Sequence, residues 1–260
     1  MGYCFTLPYG LRDKNNRYNW RILKLMITKI LSDNLTYSQI NSENPKICFL
    51  HGWGGESSNW KNISGEFESI ALDIPGFGKS VPFEKSFSPK TYAEYLIDII
   101  PDSVEIIVGH SYGGRIAVHL SRLKKYKKIV VIASPLVKVE KTKDSISIFK
   151  FYKFIHKLNL ISDEKLEKIK KKYGSEDYKN ANKYLRDTLV MAVNDDLVQI
   201  LPKIDTHVDL IYGEYDTTVL PQNGTTANKI IPDSDLTILP KENHFCLNSS
   251  KEKIIEIIKR

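Results

Sequence analysis

The sequence predicts an α/β protein, with a mostly parallel central sheet, helices on both faces and a helical cap insertion. Three observations carry this. Residues 46–50, 69–74, 104–108, 128–133 and 208–212 are short apolar runs, which is how strands buried on both faces read. Helical spacing lies between them, as in residues 91–100, where Tyr92, Tyr95, Leu96 and Ile99 share a face. Strands then stop over residues 136–206 and helical patterns replace them. An insertion of that kind covers the carboxyl ends of the strands, where such sheets bind ligands.

In chain order, residues 1–25 are polar, basic and without a clear period, and they lack the apolar stretch and cleavage site of a secretory signal. They are expected to form a poorly structured extension, with the domain running from Met26 to residue 260. Residues 27–31 and 35–40 read as a strand pair about a Ser-Asp-Asn turn. Residues 46–50 form a strand that runs into His51-Gly52-Trp53-Gly54-Gly55. Residues 57–61 open a helix with Trp60 packed inward. Residues 69–74 form the next strand, leading into the turn-rich Asp73-Ile74-Pro75-Gly76-Phe77-Gly78-Lys79-Ser80. In the insertion, residues 146–158, 163–173 and 178–201 have helical patterns, the last with a break, and Ser162 is a candidate cap. Strands resume at 208–212 and 236–239. Ser249-x-x-Glu252 reads as a capping box opening a last helix with Ile254, Ile255, Ile257 and Ile258.

Composition narrows the function classes. A chain of 260 residues, 42% hydrophobic, suits one large sheet domain. No apolar run reaches eighteen residues, so no transmembrane helix is expected. Three cysteines, Cys4, Cys48 and Cys246, make neither a disulfide framework nor a metal-ligand pattern, which points to a reducing compartment and a cytoplasmic protein. The net charge of +7 is uneven. Residues 1–30 hold six Lys/Arg against one acid and residues 136–206 hold fifteen against eleven, while 31–135 balance. There is neither a clustered basic stripe nor a nucleic-acid module, so nucleic-acid binding is not expected.

The chemistry centres on Gly109-His110-Ser111-Tyr112-Gly113-Gly114, between an apolar strand and a helix with Ile116, Ala117 and Leu120. This is the nucleophile-elbow pattern, which exposes a serine at a strained turn. The glycines let strand, turn and helix approach closely. Serine needs a base, and the base needs a carboxylate to fix its tautomer. Of six histidines, His51 and His110 sit within Gly-bounded motifs and shape loops. His119 lies inside the following helix, His156 in the insertion, and His207 at the start of a strand, the wrong end. His244, in Glu242-Asn243-His244-Phe245 after the last strand, is the candidate base. Asp216 in Gly213-Glu214-Tyr215-Asp216 is the candidate acid, with Glu214 as competitor and Asp205 and Asp209 at the wrong end of their strand. Oxyanion donors are expected from the backbone N–H groups of Tyr112 and Trp53. Trp53, Phe77 and Tyr112 are expected to line a mainly apolar acyl pocket.

These motifs together resemble the α/β-hydrolase fold family, specifically its small, capped, single-domain serine hydrolases of the esterase kind. The matching pieces are His51-Gly52-Trp53-Gly54, Asp73-x-Pro75-Gly76-x-Gly78-x-Ser80, the elbow, Gly213-Glu214-Tyr215-Asp216 and Asn243-His244-Phe245, in order over residues 47–245. The resemblance implies a catalytic triad of Ser111, Asp216 and His244, an oxyanion hole at Trp53 and Tyr112, and a cap at 136–206. Asn243 departs from the glycine many members carry there, and asparagine tolerates φ > 0. Serine at the elbow, rather than aspartate, argues against the dehalogenase branch. The expected activity is cleavage of an ester or related acyl bond through an acyl-enzyme, with no cofactor and no metal. The expected partner is a small-molecule acyl substrate, with an acidic acyl-carrier protein as a further partner for the basic cap. Carbon–carbon bond hydrolysis, aminopeptidase action and perhydrolysis are alternatives on the same fold. A ligand-binding receptor with little turnover is the alternative of another class.

Overall fold

The computed structural model describes residues 26–138 and 181–260, together with the backbone of residues 8–12 and 18–22. Within the segment expected to be poorly structured, β1 (Pro8–Arg12) and β2 (Tyr18–Ile22) pair antiparallel as a small sheet of their own. The other strands are β3 (Ile27–Ile30), β4 (Tyr37–Ile40), β5 (Ile47–Leu50), β6 (Ser69–Leu72), β7 (Ile106–His110), β8 (Lys128–Ile132), β9 (His207–Gly213) and β10 (Ser234–Leu239). They form one sheet in the order β10-β9-β8-β7-β5-β6-β4-β3. Pairing is parallel from β10 to β6 and antiparallel where β4 meets β6 and β3 meets β4.

The apolar runs are explained by two cores, because side chains alternate between faces. Cys48 and Leu50 of β5, Ile107 of β7, Ile129 and Val131 of β8, and Leu210 and Tyr212 of β9 enter one core. That core is covered by α2 (Pro89–Leu96) and α3 (Tyr112–Leu120) through Tyr92, Leu96, Ile116 and Leu120. Phe49, Val108, Val130, Ile132 and Ile211 enter the other. It is covered by the 3-10 turn Ser57–Trp60, by α1 (Lys61–Ser64) and by the last helix, through Trp60, Ile63, Ile254, Ile257 and Ile258. Trp60 is fully buried, as its sequence position suggested. Ser88 caps α2 by accepting from the Thr91 N–H.

Strand order reverses direction at β5, which is flanked by β6 on one side and β7 on the other. Loops leaving β5 and β7 therefore diverge and open a crevice at the carboxyl edge. The register pairs Leu50 with Gly109 and Gly109 with Val131, so the loops after β5, β7 and β8 start at one level.

Of the insertion, residues 139–180 lie outside the described residues, and with them the patterns at 146–158 and 163–173, the Ser162 cap and His156. The pattern at 178–201 becomes α4 (Lys183–Asn194), capped by Asn182, then a break and 3-10 turns at Leu197–Gln199 and Leu201–Lys203. Helix α5 (Gln222–Ile230) precedes β10. The last helix, α6, spans Lys251–Lys259, and its start corrects the sequence reading. Ser250 is the N-cap and makes no side-chain cap bond. The Ser249 and Ser250 hydroxyls instead donate to the Glu242 carboxylate at 2.6 and 2.8 Å. A carboxylate seven and eight residues upstream of the two serines outcompetes the local box, because it offers two acceptors to two neighbouring hydroxyls.

Candidate active site

The elbow forms where β7 must turn into α3 without leaving the sheet. Ser111 sits at the apex with φ +49 and ψ −110, a left-handed conformation that non-glycine residues rarely hold. Space there is very tight. A Cβ on Gly109 would strike the Gly113 carbonyl, and one on Gly113 would strike the Leu50 carbonyl. A Cβ on Gly114 would lie 2.7 Å from Ser134 Cβ. The Ser134 hydroxyl uses the room at Gly114 to donate to the Ser111 carbonyl at 2.7 Å. The Tyr212 hydroxyl in turn donates to the Ser134 carbonyl at 2.6 Å. The strained turn is thus held by a relay of two hydrogen bonds, the second of them buried.

Above the apex, His244 Nε2 lies 3.1 Å from Ser111 Oγ, and its Nδ1 lies 2.7 Å from Asp216 Oδ2. A carboxylate only accepts, so Nδ1 carries the proton and Nε2 is left to accept from the serine hydroxyl. Asp216 is buried, and its Oδ1 accepts the N–H groups of Thr218 and Val219, both at 2.8 Å. That fixes the carboxylate plane toward the imidazole. Glu214, the competing acid, turns outward and accepts the Lys241 N–H at 2.8 Å. The His244 loop is tied by the Asn243 side chain, which accepts the Phe245 N–H at 2.8 Å, and by the Tyr215 N–H, which donates to the Glu242 carbonyl at 2.8 Å. Such an array lowers the barrier for a serine to attack a carbonyl, because the leaving proton has a preplaced acceptor.

His51, His110, Ser111 and His244 open onto a cavity of about 560 Å³, with Trp53, Asn59, Phe245 and Asn248 among the other lining residues. Of the three residues expected to contact substrate, Trp53 lines this cavity. Phe77 and Tyr112 are almost fully buried behind it, packed edge-on against the Trp53 ring at 4.9 and 5.3 Å between centroids. Tyr112 is the first residue of α3, so its N–H is one of those a helix leaves without an internal partner, and it adjoins Ser111. Trp53 follows β5 in the neighbouring loop.

His51 and His110 do shape loops. The His51 ring donates from Nδ1 to the Gly52 carbonyl at 2.7 Å and accepts the Ile74 N–H at Nε2 at 2.9 Å, joining the loops after β5 and β6. Burial pushes its pKa down to about 4, so it stays neutral for both bonds. Asp73 organises the second loop by accepting the N–H groups of Ser57 and Lys79 at 2.6 and 2.8 Å, and Gly78 has φ +55 against it.

Sequence reasoning missed Ser134 and a charged cluster on α3. The Arg115 guanidinium is buried and donates to the carbonyl of Asp195, the C-cap residue of α4, with its carboxylate 3.7 Å away. His119 Nε2 lies 3.2 Å from the same carboxylate. The available signal was a lone arginine in a helix otherwise apolar from Gly113 to Val118. Among the described residues one group of side chains is close enough to share a cation: His207, Asp209 and Asp235. It lies at the amino ends of β9 and β10, away from Ser111, and the Lys128 ammonium already pairs with Asp209 at 3.1 Å.

An open, mostly parallel sheet with a serine at a strained strand-to-helix turn, a histidine and a buried aspartate at its carboxyl edge defines the class: an α/β protein with its candidate site at the strand ends. The chain belongs to the alpha/beta hydrolase family, whose model matches residues 49–251. Among curated proteins, the pimeloyl-[acyl-carrier protein] methyl ester esterase of Wigglesworthia glossinidia brevipalpis is 34% identical over 102 residues, which is 36% of this chain and only 38% of that protein's length. The protein of the same name from Aeromonas hydrophila subsp. hydrophila is 24% identical over 241 residues, covering 83% of this chain and 94% of its own. Among solved structures, an esterase from Exiguobacterium antarcticum superposes with a TM-score of 0.68 at 16% identity, over 90% of this chain and 98% of that one. A lipase-esterase related protein from Clostridium acetobutylicum gives 0.65 at 20% identity, over 89% and 99%. These two show the shared fold. Among the described residues no helix is long and apolar enough to cross a membrane.

Proposed function

We propose that the protein is a serine hydrolase that cleaves carboxylic esters through an acyl-enzyme. The observation that carries this reading is the continuous line from Ser111 Oγ through the His244 ring to a buried Asp216, at 3.1 and 2.7 Å. In this reading Ser111 attacks the ester carbonyl while His244 takes its proton. The imidazolium so formed is stabilised by Asp216. The oxyanion is met by the N–H groups of Tyr112 and Trp53, each donor being worth roughly 3–4 kcal/mol in enzymes where one has been removed. His244 then protonates the departing alcohol, and a water activated by the same ring releases the acid. No cofactor or metal enters the scheme.

A cap at residues 136–206, within the domain of residues 26–260, is part of this reading. In support, the Thr188 hydroxyl of α4 accepts the Phe87 N–H at 3.0 Å, and Leu185 packs over Gly76, so this helix sits on the loop after β6. An ester carried on an acidic acyl-carrier protein is the substrate we favour. The names of the Wigglesworthia and Aeromonas relatives support it, as does the basic excess of 136–206. Two unpaired, buried thiols, Cys48 and Cys246, fit a cytoplasmic site of action.

The test is labelling with a fluorophosphonate probe, with Ser111→Ala as control, followed by hydrolysis of an ester series. Labelled wild type and an unlabelled variant are expected, and folded wild type that stays unlabelled overturns the reading. A carrier-bound ester should outperform the same acyl group on methanol, and its advantage should shrink with salt. Equal rates at every ionic strength remove the carrier protein as partner.

A further inference from the structure

We infer that His110, the residue before the nucleophile, is a positioning residue that sets the place of the base relative to the serine. This rests on the hydrolase reading of Ser111 and His244. His110 is buried, and its Nε2 lies 2.9 Å from the main-chain carbonyl of His244. A carbonyl only accepts, so Nε2–H is the donor and Nδ1 is bare. The two rings lie 5.1 Å apart at 49°, side by side. Nδ1 faces the loop after β5 so closely that a Cβ on Gly52 would lie 2.9 Å from it. One imidazole therefore touches three loops: the elbow, the base loop and the loop that carries Trp53.

The geometry explains why such a tie matters. The bond from His244 Nδ1 to Asp216 fixes one atom of the ring but leaves the loop free to translate with the Asp216 loop. His110 is the last residue of β7 and is locked in the sheet opposite Ile132. Its bond refers the backbone of His244 to the strand that delivers Ser111. The distance between Oγ and Nε2 is then set by one rigid side chain. An ångström of misplacement at such a pair costs about a hundredfold in rate. The charge state suits this task. Burial, followed by the neighbouring His244, pushes the His110 pKa down to about 4, although the bonded His244 carbonyl and Asp216 act the other way. The titratable groups facing it are His244, Asp216 and His51. At neutral pH the ring therefore keeps its donor and sets no positive charge against the imidazolium that forms during turnover.

The test compares His110→Gln, whose amide N–H reaches about as far as Nε2, with His110→Leu, which keeps bulk and loses the donor. His110→Asn, too short to reach, is a second variant without the bond. Rates are taken on a small ester, per site titrated with the fluorophosphonate, beside the melting temperature of each variant. For Leu and Asn, kcat is expected to fall about tenfold or more with KM within about twofold. Gln should recover most of kcat. Wild-type kcat per site in Leu and Asn, or a Gln variant no better than Leu, would each overturn the proposal. Should wild type prove inactive, the hydrolase reading falls separately. The bond itself is then read from the His110 Nε2–H proton resonance, which should be downfield and slow to exchange.

Discussion

Strand β9 has a histidine–aspartate pair near each end, and only one of them sits in a place where it can do chemistry. At the carboxyl end, His244 Nδ1 meets Asp216 at 2.7 Å; at the amino end, His207 Nδ1 meets Asp233 at 2.9 Å. The pair distances are nearly the same. What differs is burial and what the second nitrogen faces. The Asp216 side chain is wholly buried, while that of Asp233 is 70% exposed. His244 Nε2 faces a serine hydroxyl held at a strained turn. His207 Nε2 faces the carboxylates of Asp209 and Asp235, at 3.6 and 3.9 Å. Partial burial disfavours the charged His207 ring, but the hydrogen bond it donates to Asp233 and the nearby Asp209 and Asp235 outweigh it, and its pKa is raised. A histidine beside an acid is therefore not a site. The edge of the sheet on which it sits decides whether a serine at a strained turn and helix-terminal N–H groups stand beside it, since a cavity borders both pairs.

The comparison can be broken at several points. The largest effect is expected from Ser111→Ala and His244→Ala, which should lower kcat about a millionfold, while His207→Ala leaves it within about twofold. Any comparable loss at His207 breaks the distinction between the two ends. Next, Asp216→Asn should cost about four orders of magnitude in kcat, by flipping the tautomer of His244. Asp233→Asn and Glu214→Gln should cost less than about fivefold, since neither carboxylate touches the ring of His244. A reversed ranking of Asp216 and Glu214 in initial rates reassigns the acid.

Smaller effects bear on stability. Gly113→Ala forces a methyl against the Leu50 carbonyl and should destabilise the fold by about 1–3 kcal/mol in urea titrations. Ser134→Ala removes the donor to the Ser111 carbonyl and should cost about 1 kcal/mol; an unchanged midpoint would show that the elbow needs no support there. The smallest effect is at His207. Its raised pKa means that its contribution to stability is full below the unfolded value near 6.5 and is lost as pH rises through the folded one. A melting temperature that falls slightly above pH 6.5 in wild type, and does so less in His207→Gln, is the expected sign.

Much of the fold was legible because burial on both faces leaves an unmistakable trace. Strands β5, β7, β8 and β9 read as apolar runs since each feeds two cores. Ser111, Asp216 and His244 stood out because each lies in a motif within the loop after a strand, where loops meet at one edge. Ser134 did not, although it also follows a strand. Its role depends on the space at Gly114, twenty residues away, and no local pattern reports that. His110 was legible as a loop-shaping residue, but its target is a carbonyl, which any residue at position 244 supplies. The capping box misled because Glu242 reaches both serines across a turn.

Arg115 and Asp195 carry a consequence for heredity and for engineering. Their ion pair joins α3, the helix after Ser111, to α4, and the guanidinium is buried. Removing one partner of such a buried pair costs about 3–5 kcal/mol, whereas replacing both with apolar groups is often neutral. The two positions are thus expected to change together across descendants of this chain. An insertion grafted from a relative without an acid at position 195 would keep the main-chain acceptor but leave the buried guanidinium charge unpaired, and Arg115→Leu in the recipient should make the chimaera more stable.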